Sequence, residues 1–136
     1  MAASPTIAAI LSTGEPERLY SGLSALVSAA ADGAPAAALV SFGALELILD
    51  PDLQRRVQEP DATPSLAWAG RETFARSLAE LIDTALSLEN LTVHACAASI
   101  ETMGLDPGAI TARGLDGVKS TPRFLKDAGG ATLMFV

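Results

Sequence analysis

The segment "VHACAASIETMG", Val93 to Gly104, holds the only cysteine and the only histidine of the chain. A thiol reacts as its thiolate, so the question is what would stabilise the anion here. Leu91–Ala95 reads as an apolar strand, and Ala97–Met103 as a two-turn helix stopped by Gly104. Cys96 therefore leaves a strand and enters a helix, where free backbone N–H groups favour negative charge. Ala97 and Ala98 leave space near the sulfur, and Ser99 offers a hydroxyl donor. The competing reading is a small buried hydrophobe, the commonest role of a free cysteine, and spacing leaves both open. His94 could serve as a base only within hydrogen-bond reach of the sulfur. The reading favoured for it is a strand histidine bonded to neighbouring backbone or to another subunit. No acidic residue completes a triad in the sequence.

Two further strand ends are expected to converge on Cys96. One is Ser12-Thr13-Gly14 and the other is Phe42-Gly43. Ser12-Thr13-Gly14-Glu15 has only a faint likeness to a phosphate loop, because the glycine run and the lysine are missing. Arg55, Arg56, Arg71 and Arg76 flank a long irregular stretch, Pro51–Gly70, and could hold an anionic partner; a solvated face is the reading favoured. Trp68, the only tryptophan, reads as a lid over the site or as a subunit contact.

The elements that must position these residues follow from hydrophobic periodicity. Pro5–Leu11, Ala36–Phe42, Leu91–Ala95 and Ala131–Val136 are short apolar runs bounded by turn residues, and read as buried strands. Ala109–Ala112 reads as another short strand, after a turn at Asp106-Pro107-Gly108. Leu19, Leu23, Leu26, Val27 and Ala30 form a helical stripe that Pro16 can open and Gly33 can close. Phe74, Leu78, Leu81, Ile82, Ala85 and Leu88 form a second stripe within Thr73–Glu89. Leu45–Leu49 and Thr121–Ala128 suggest short helices, and Leu53–Gln58 a helical turn. Apolar strands alternating with amphipathic helices imply an α/β domain, with a parallel sheet covered on both faces. Ligand sites in such folds lie beyond the carboxyl ends of the strands.

Composition narrows the function. The 136 residues fit one domain, with no linker and no repeat. A net charge of −7 without a dense basic patch argues against nucleic acid and anionic membranes. One Cys and one His are too few for a zinc site unless subunits share it, so no metal and no cofactor is expected. The N-terminal apolar run lacks a basic region and is short. Neither a signal peptide nor a membrane span is expected, and the cytoplasm is the expected compartment. Alanine-rich, charge-poor surfaces point to a homo-oligomer.

The segments "STGEPERLYSGLSALVSAA", "ALVSFGALELIL" and "VHACAASIETMGLD", followed by a closing apolar strand, resemble the DsrE/DsrF-like family. The likeness is closest to its branch of DsrE-like proteins known as predicted peroxiredoxins. It runs from about Pro5 to Val136 and is most specific around Cys96. The resemblance implies a three-layer flavodoxin- or Rossmann-like α/β fold with a mostly parallel five-stranded sheet, assembled as trimers or hexamers. It also implies a sulfur relay, in which Cys96 takes a persulfide from a donor protein and passes it to an acceptor. The N–H groups of Ala97 and Ala98 would then stabilise that persulfide. The chain departs from relay members by carrying "SIETMG" where they have Arg-Gly, and by having no second cysteine. A binding or regulatory module and, more weakly, a thiol peroxidase are the alternative readings.

Overall fold

A computed structural model describes residues 4–136. Five strands form the sheet: β1 (Ile7–Leu11), β2 (Ala36–Val40), β3 (Leu91–Cys96), β4 (Gly117–Lys119) and β5 (Thr132–Phe135). Their order is β4-β3-β2-β1-β5, and every pairing is parallel. The helices are α1 (Pro16–Ala31), α2 (Phe42–Leu49), α3 (Leu53–Val57), α4 (Trp68–Ser87), α5 (Ala97–Met103), α6 (Pro107–Arg113) and α7 (Thr121–Asp127).

The strand order dictates where the helices go. From β1 through β4 the chain always steps to the next position in one direction, and the final connection returns past three strands to place β5 beside β1. Parallel crossovers are right-handed, so connections running in opposite directions lie on opposite faces. The helices α1 to α6 accordingly share one face. There Leu19, Leu23, Leu26, Leu45, Ile48, Leu78, Ile82, Ile100 and Ile110 pack on Ala9, Leu11, Ala38, Val40, Val93 and Ala95 of the strands. On the other face α7 stands alone, and Phe124 and Ala128 cover Ala8, Ala37, Leu39 and Cys96. The result is a three-layer, flavodoxin- or Rossmann-like α/β domain with one thick and one thin outer layer.

Several elements differ from the sequence reading. Ala109–Ala112 lies within α6: Asp106 caps the helix by accepting from the Gly108 N–H at 3.1 Å, Pro107 fills the first turn, and Gly114 ends it at φ +112°. Residues read as a turn are thus a helix start. The fourth strand is instead Gly117–Lys119, a three-residue edge strand with no apolar run to announce it. Asp116 fixes it, with its carboxylate accepting from the Val93 N–H at 2.7 Å. β2 stops at Val40, so Phe42 opens α2 rather than closing a strand. The irregular stretch shrinks to residues 58–67, because α3 fills its first part and α4 begins at Trp68.

Candidate functional site

Cys96 is the last residue of β3 and the N-cap of α5. Strand side chains alternate between faces, so Cys96 shares the thin face with His94, while Val93 and Ala95 enter the thick-face core. In the β3–β4 register Cys96 stands opposite Lys119 and His94 opposite Gly117. Parallel partners project to the same side, so the thin face of these strands carries His94, Cys96 and Lys119 together. The helix α7 adds Thr121, Phe124 and Asp127. The Thr121 hydroxyl lies 3.9 Å from the sulfur.

The thiol is only 4% exposed, yet its acidity is raised. Burial pushes the pKa up, since desolvation disfavours the thiolate. The N–H and hydroxyl of Ser99, the hydroxyl of Thr121 and the N–H of Ala98 push it down, and together they prevail. The neutral thiol closes no capping hydrogen bond; these donors act by favouring the anion. The amides that act on the thiol are those of Ser99 and Ala98; Ala98 was expected, and Ser99 rather than Ala97 accompanies it. An N-cap side chain meets the second and third amides of the helix, and Ala97 holds only the first. Ala98 and Thr121 are exposed, so the sulfur lies one layer beneath the surface.

Ser99 is fully buried and links the thiol to the end of β2, because its Oγ accepts from the Phe42 N–H at 3.1 Å. Phe42 is held at φ +41°, a left-handed conformation that L side chains disfavour. Its neighbour Gly43 must lack a side chain. A Cβ there would lie 2.6 Å from the Gly14 nitrogen and 2.7 Å from the Gly14 Cα. The turns after β1 and β2 therefore touch backbone to backbone. Of the residues expected to converge, Phe42, Ser99 and Cys96 are joined, and Gly14 and Gly43 are in contact. Thr13 also adjoins Gly43, since a Cβ there would lie 3.1 Å from the Thr13 carbonyl carbon, while Ser12 and Thr13 reach the end of the chain as well. Both donate backbone N–H groups to the Val136 carbonyl, at 2.7 and 3.2 Å, and the Thr13 hydroxyl accepts from the Glu15 N–H.

His94 is partly buried and its pKa is lowered, first by burial and then by the Lys119 ammonium, against the opposing pull of Asp116 and Asp127. It lines a cavity of about 480 Å³ under α7, with Thr92, Lys119, Phe124 and Asp127 among its walls. Cys96 does not line that cavity, although Phe124 borders both. Lys119 and Arg123 both reach Asp127 Oδ2, at 3.1 and 3.2 Å, and the hydrogen bond from Lys119 leads in holding that carboxyl below its usual range.

Sequence reasoning missed Lys119, Thr121 and Asp127, because only the β4 register brings residues about 25 positions away beside Cys96. The loop arginines also divide. Arg55 pairs with Asp52, Arg56 with Glu46 and Asp50, and Arg76 with Glu72. Arg71, expected on a solvated face, is buried instead. Among the described residues no cluster of three or more His, Cys, Asp or Glu could hold a metal ion, and no helix is long and apolar enough to cross a membrane. No protein-family model matches the chain, and no curated protein matches it.

Proposed function

We propose that this chain is a sulfur carrier that holds sulfane sulfur as a persulfide on Cys96. The observation that supports this most is the set of donors around a sulfur at a strand–helix junction, which favours the thiolate in spite of burial. In the forward step the Cys96 thiolate attacks the outer sulfur of a donor persulfide. A new S–S bond forms on Cys96, the donor's S–S bond breaks, and the donor leaves as a thiolate. In the second step an acceptor thiolate attacks the terminal sulfur and regenerates the Cys96 thiolate. Both exchanges are redox-neutral and need no cofactor. Ala98 and Ser99 amides would hold the terminal anion, and the exposed start of α7 at Thr121 is the segment that has to yield to admit a donor. A free working thiol suits the reducing cytoplasm.

The same reading takes the protein as a homo-oligomer. Leu133 and Phe135 of β5 and Leu125 of α7 are exposed apolar side chains on or beside the thin layer. Apolar surface of this kind marks association sites. A trimer or a multiple of three follows only from the family resemblance.

A second reading is favoured by one observation. The 480 Å³ cavity is of ligand size and holds His94, whereas Cys96 is buried outside it. In that case the protein binds a small molecule under α7, and Cys96 is packing. Intact mass after incubation with a persulfide donor separates the two. Wild type should gain one sulfur atom that dithiothreitol removes, and Cys96→Ser should gain none. Iodoacetamide alkylation against pH should give a midpoint below that of an ordinary thiol. A thiol that alkylates only after unfolding would sink the carrier reading and leave the binding module.

A further inference from the structure

The longest helix begins without the usual partners. Ala67 at the α4 N-cap makes no side-chain cap, and the first turn has no acidic residue. The amides of Trp68 and Ala69 at its start consequently lack a side-chain acceptor, at the end of the helix where positive potential gathers. Alone, that feature says nothing about a ligand. Arg71, one turn in, adds an independent observation.

Helical side chains lean toward the N-terminus of their helix. Arg71 follows this rule: its Nε donates to the Leu66 carbonyl at 3.2 Å, and its guanidinium carbon lies 5.7 Å from the centroid of the Trp68 ring. The guanidinium therefore lies alongside the first turn of α4. Arg71 is 7% exposed, and its Nη1 is buried with no hydrogen-bond partner among the described residues. Every other arginine of the chain has a carboxylate within 4.0 Å. Among the described residues, the one arginine that is buried is also the one without a counter-ion. Glu72, the next residue along the helix, pairs with Arg76 instead. A buried cation without an opposite charge is among the least favourable arrangements in a protein, and the usual resolution is an anion that pairs with it.

We propose that Arg71 and the first turn of α4 form a binding site for an oxyanion, the carboxylate or phosphate group of a small ligand. The free Nη edge of a guanidinium matches such a group in a two-point contact, and uncapped helix amides favour the same charge. With Arg71 only 7% exposed, the little surface it offers suits a small oxyanion rather than a broad acidic protein surface. Trp68 is 69% exposed and covers the guanidinium on one side, so it forms the wall a small ligand would meet first. This site is independent of the chemistry at Cys96.

Trp68 is also the only tryptophan, so its fluorescence reports on this site without a label. The full chain would be titrated with sodium phosphate and, separately, with sodium acetate, against sodium chloride at equal ionic strength. A saturable change in Trp68 emission is expected with at least one oxyanion and not with chloride. The one that saturates at lower concentration identifies the group as phosphate or carboxylate. Arg71→Lys should weaken the apparent affinity at least tenfold, since it keeps the charge and loses the fork, and Arg71→Met should abolish the response. An emission change that follows ionic strength alone in wild type would overturn the proposal, as would equal titrations in wild type and Arg71→Lys. Should Arg71→Met fail to fold, the wild-type and Arg71→Lys titrations decide.

Discussion

The two faces of the sheet are built to different depths, and the difference follows from chain order. Six helices cover one face over a continuous apolar core that runs from α1 to α6. The opposite face has one seven-residue helix, a cavity, and the cluster of His94, Cys96, Lys119 and Asp127. A thick layer stabilises the fold, while a thin one leaves ionisable groups a single layer below solvent. The topology sets this difference: stepping β1 to β4 in one direction loads one face, and only the returning crossover to β5 can cover the other.

The sharpest way to break this contrast is to cut each layer. Ile82 is fully buried in α4 on the thick face, and Ile82→Ala should destabilise the fold by about 2–5 kcal/mol, read from the urea midpoint. Phe135 is 72% exposed on β5. Phe135→Ser should change the stability of a monomer by less than about 0.5 kcal/mol, since surface changes rarely do more. In sedimentation it should instead shift the protein to a smaller species. Equal losses of stability for the two variants would mean that the faces are not different in kind.

A second test addresses the rim where the faces meet. Gly43→Ala places a methyl group 2.6 Å from the Gly14 backbone nitrogen. The neighbour is backbone rather than a flexible side chain, so the two turns must separate. Overpacking of this kind costs about 1–3 kcal/mol. The same movement draws the Phe42 N–H away from Ser99, so Cys96 should alkylate more slowly at neutral pH. Wild-type stability and wild-type alkylation in Gly43→Ala would show that the contact does not position the thiol.

The sequence made the thick layer easy to see and the thin one hard. The helices α1 and α4 carry long apolar stripes, β2 is an unbroken apolar run, and the αL glycine at Gly104 marks the end of α5. These are local signals, and Cys96 at a strand–helix junction could be read from them. The partners of Cys96 could not. Thr121 and Lys119 reach it through a three-residue edge strand with neither length nor apolar pattern, and α6 hides behind an Asp-Pro-Gly that reads equally well as a turn. The burial of Arg71 was also invisible, because a charged residue after a proline-rich loop looks like surface until its packing is known.

A smaller effect concerns the strained residue on the rim. Phe42 is held at φ +41° with half of its surface exposed. A left-handed conformation costs an L residue about 1–2 kcal/mol, and glycine avoids that at an entropic cost of about 0.5–1 kcal/mol. Phe42→Gly should therefore leave the urea midpoint unchanged or raise it by up to about 1 kcal/mol equivalent, while Ser99 keeps its amide donor. A loss of more than about 1 kcal/mol would show that the ring packs against something that outweighs the strain.

The smallest effect is a pH dependence confined to the thin face. Burial, and then the Lys119 ammonium, lower the His94 pKa from 6.5, and Asp116 and Asp127 only partly oppose them. The unfolded chain therefore takes up this proton at a higher pH than the folded protein does. The stability that comes from a neutral His94 is fully present above the unfolded value. It is lost as pH falls from there through the folded value. Urea midpoints measured between about pH 7.5 and 5.5, above the range where carboxylates dominate, should decline in wild type and be flatter in His94→Gln. Lys119→Gln should also flatten the slope, for two reasons of the same sign: it removes the second depressing cause and leaves Asp127 less neutralised beside the ring. The thick-face variant Ile82→Ala should be less stable at every pH but keep the wild-type slope, because no titrating group is altered. An equal slope in His94→Gln and wild type would mean that the imidazole is hydrated in the folded protein, and the thin layer would then be open to water as far as β3.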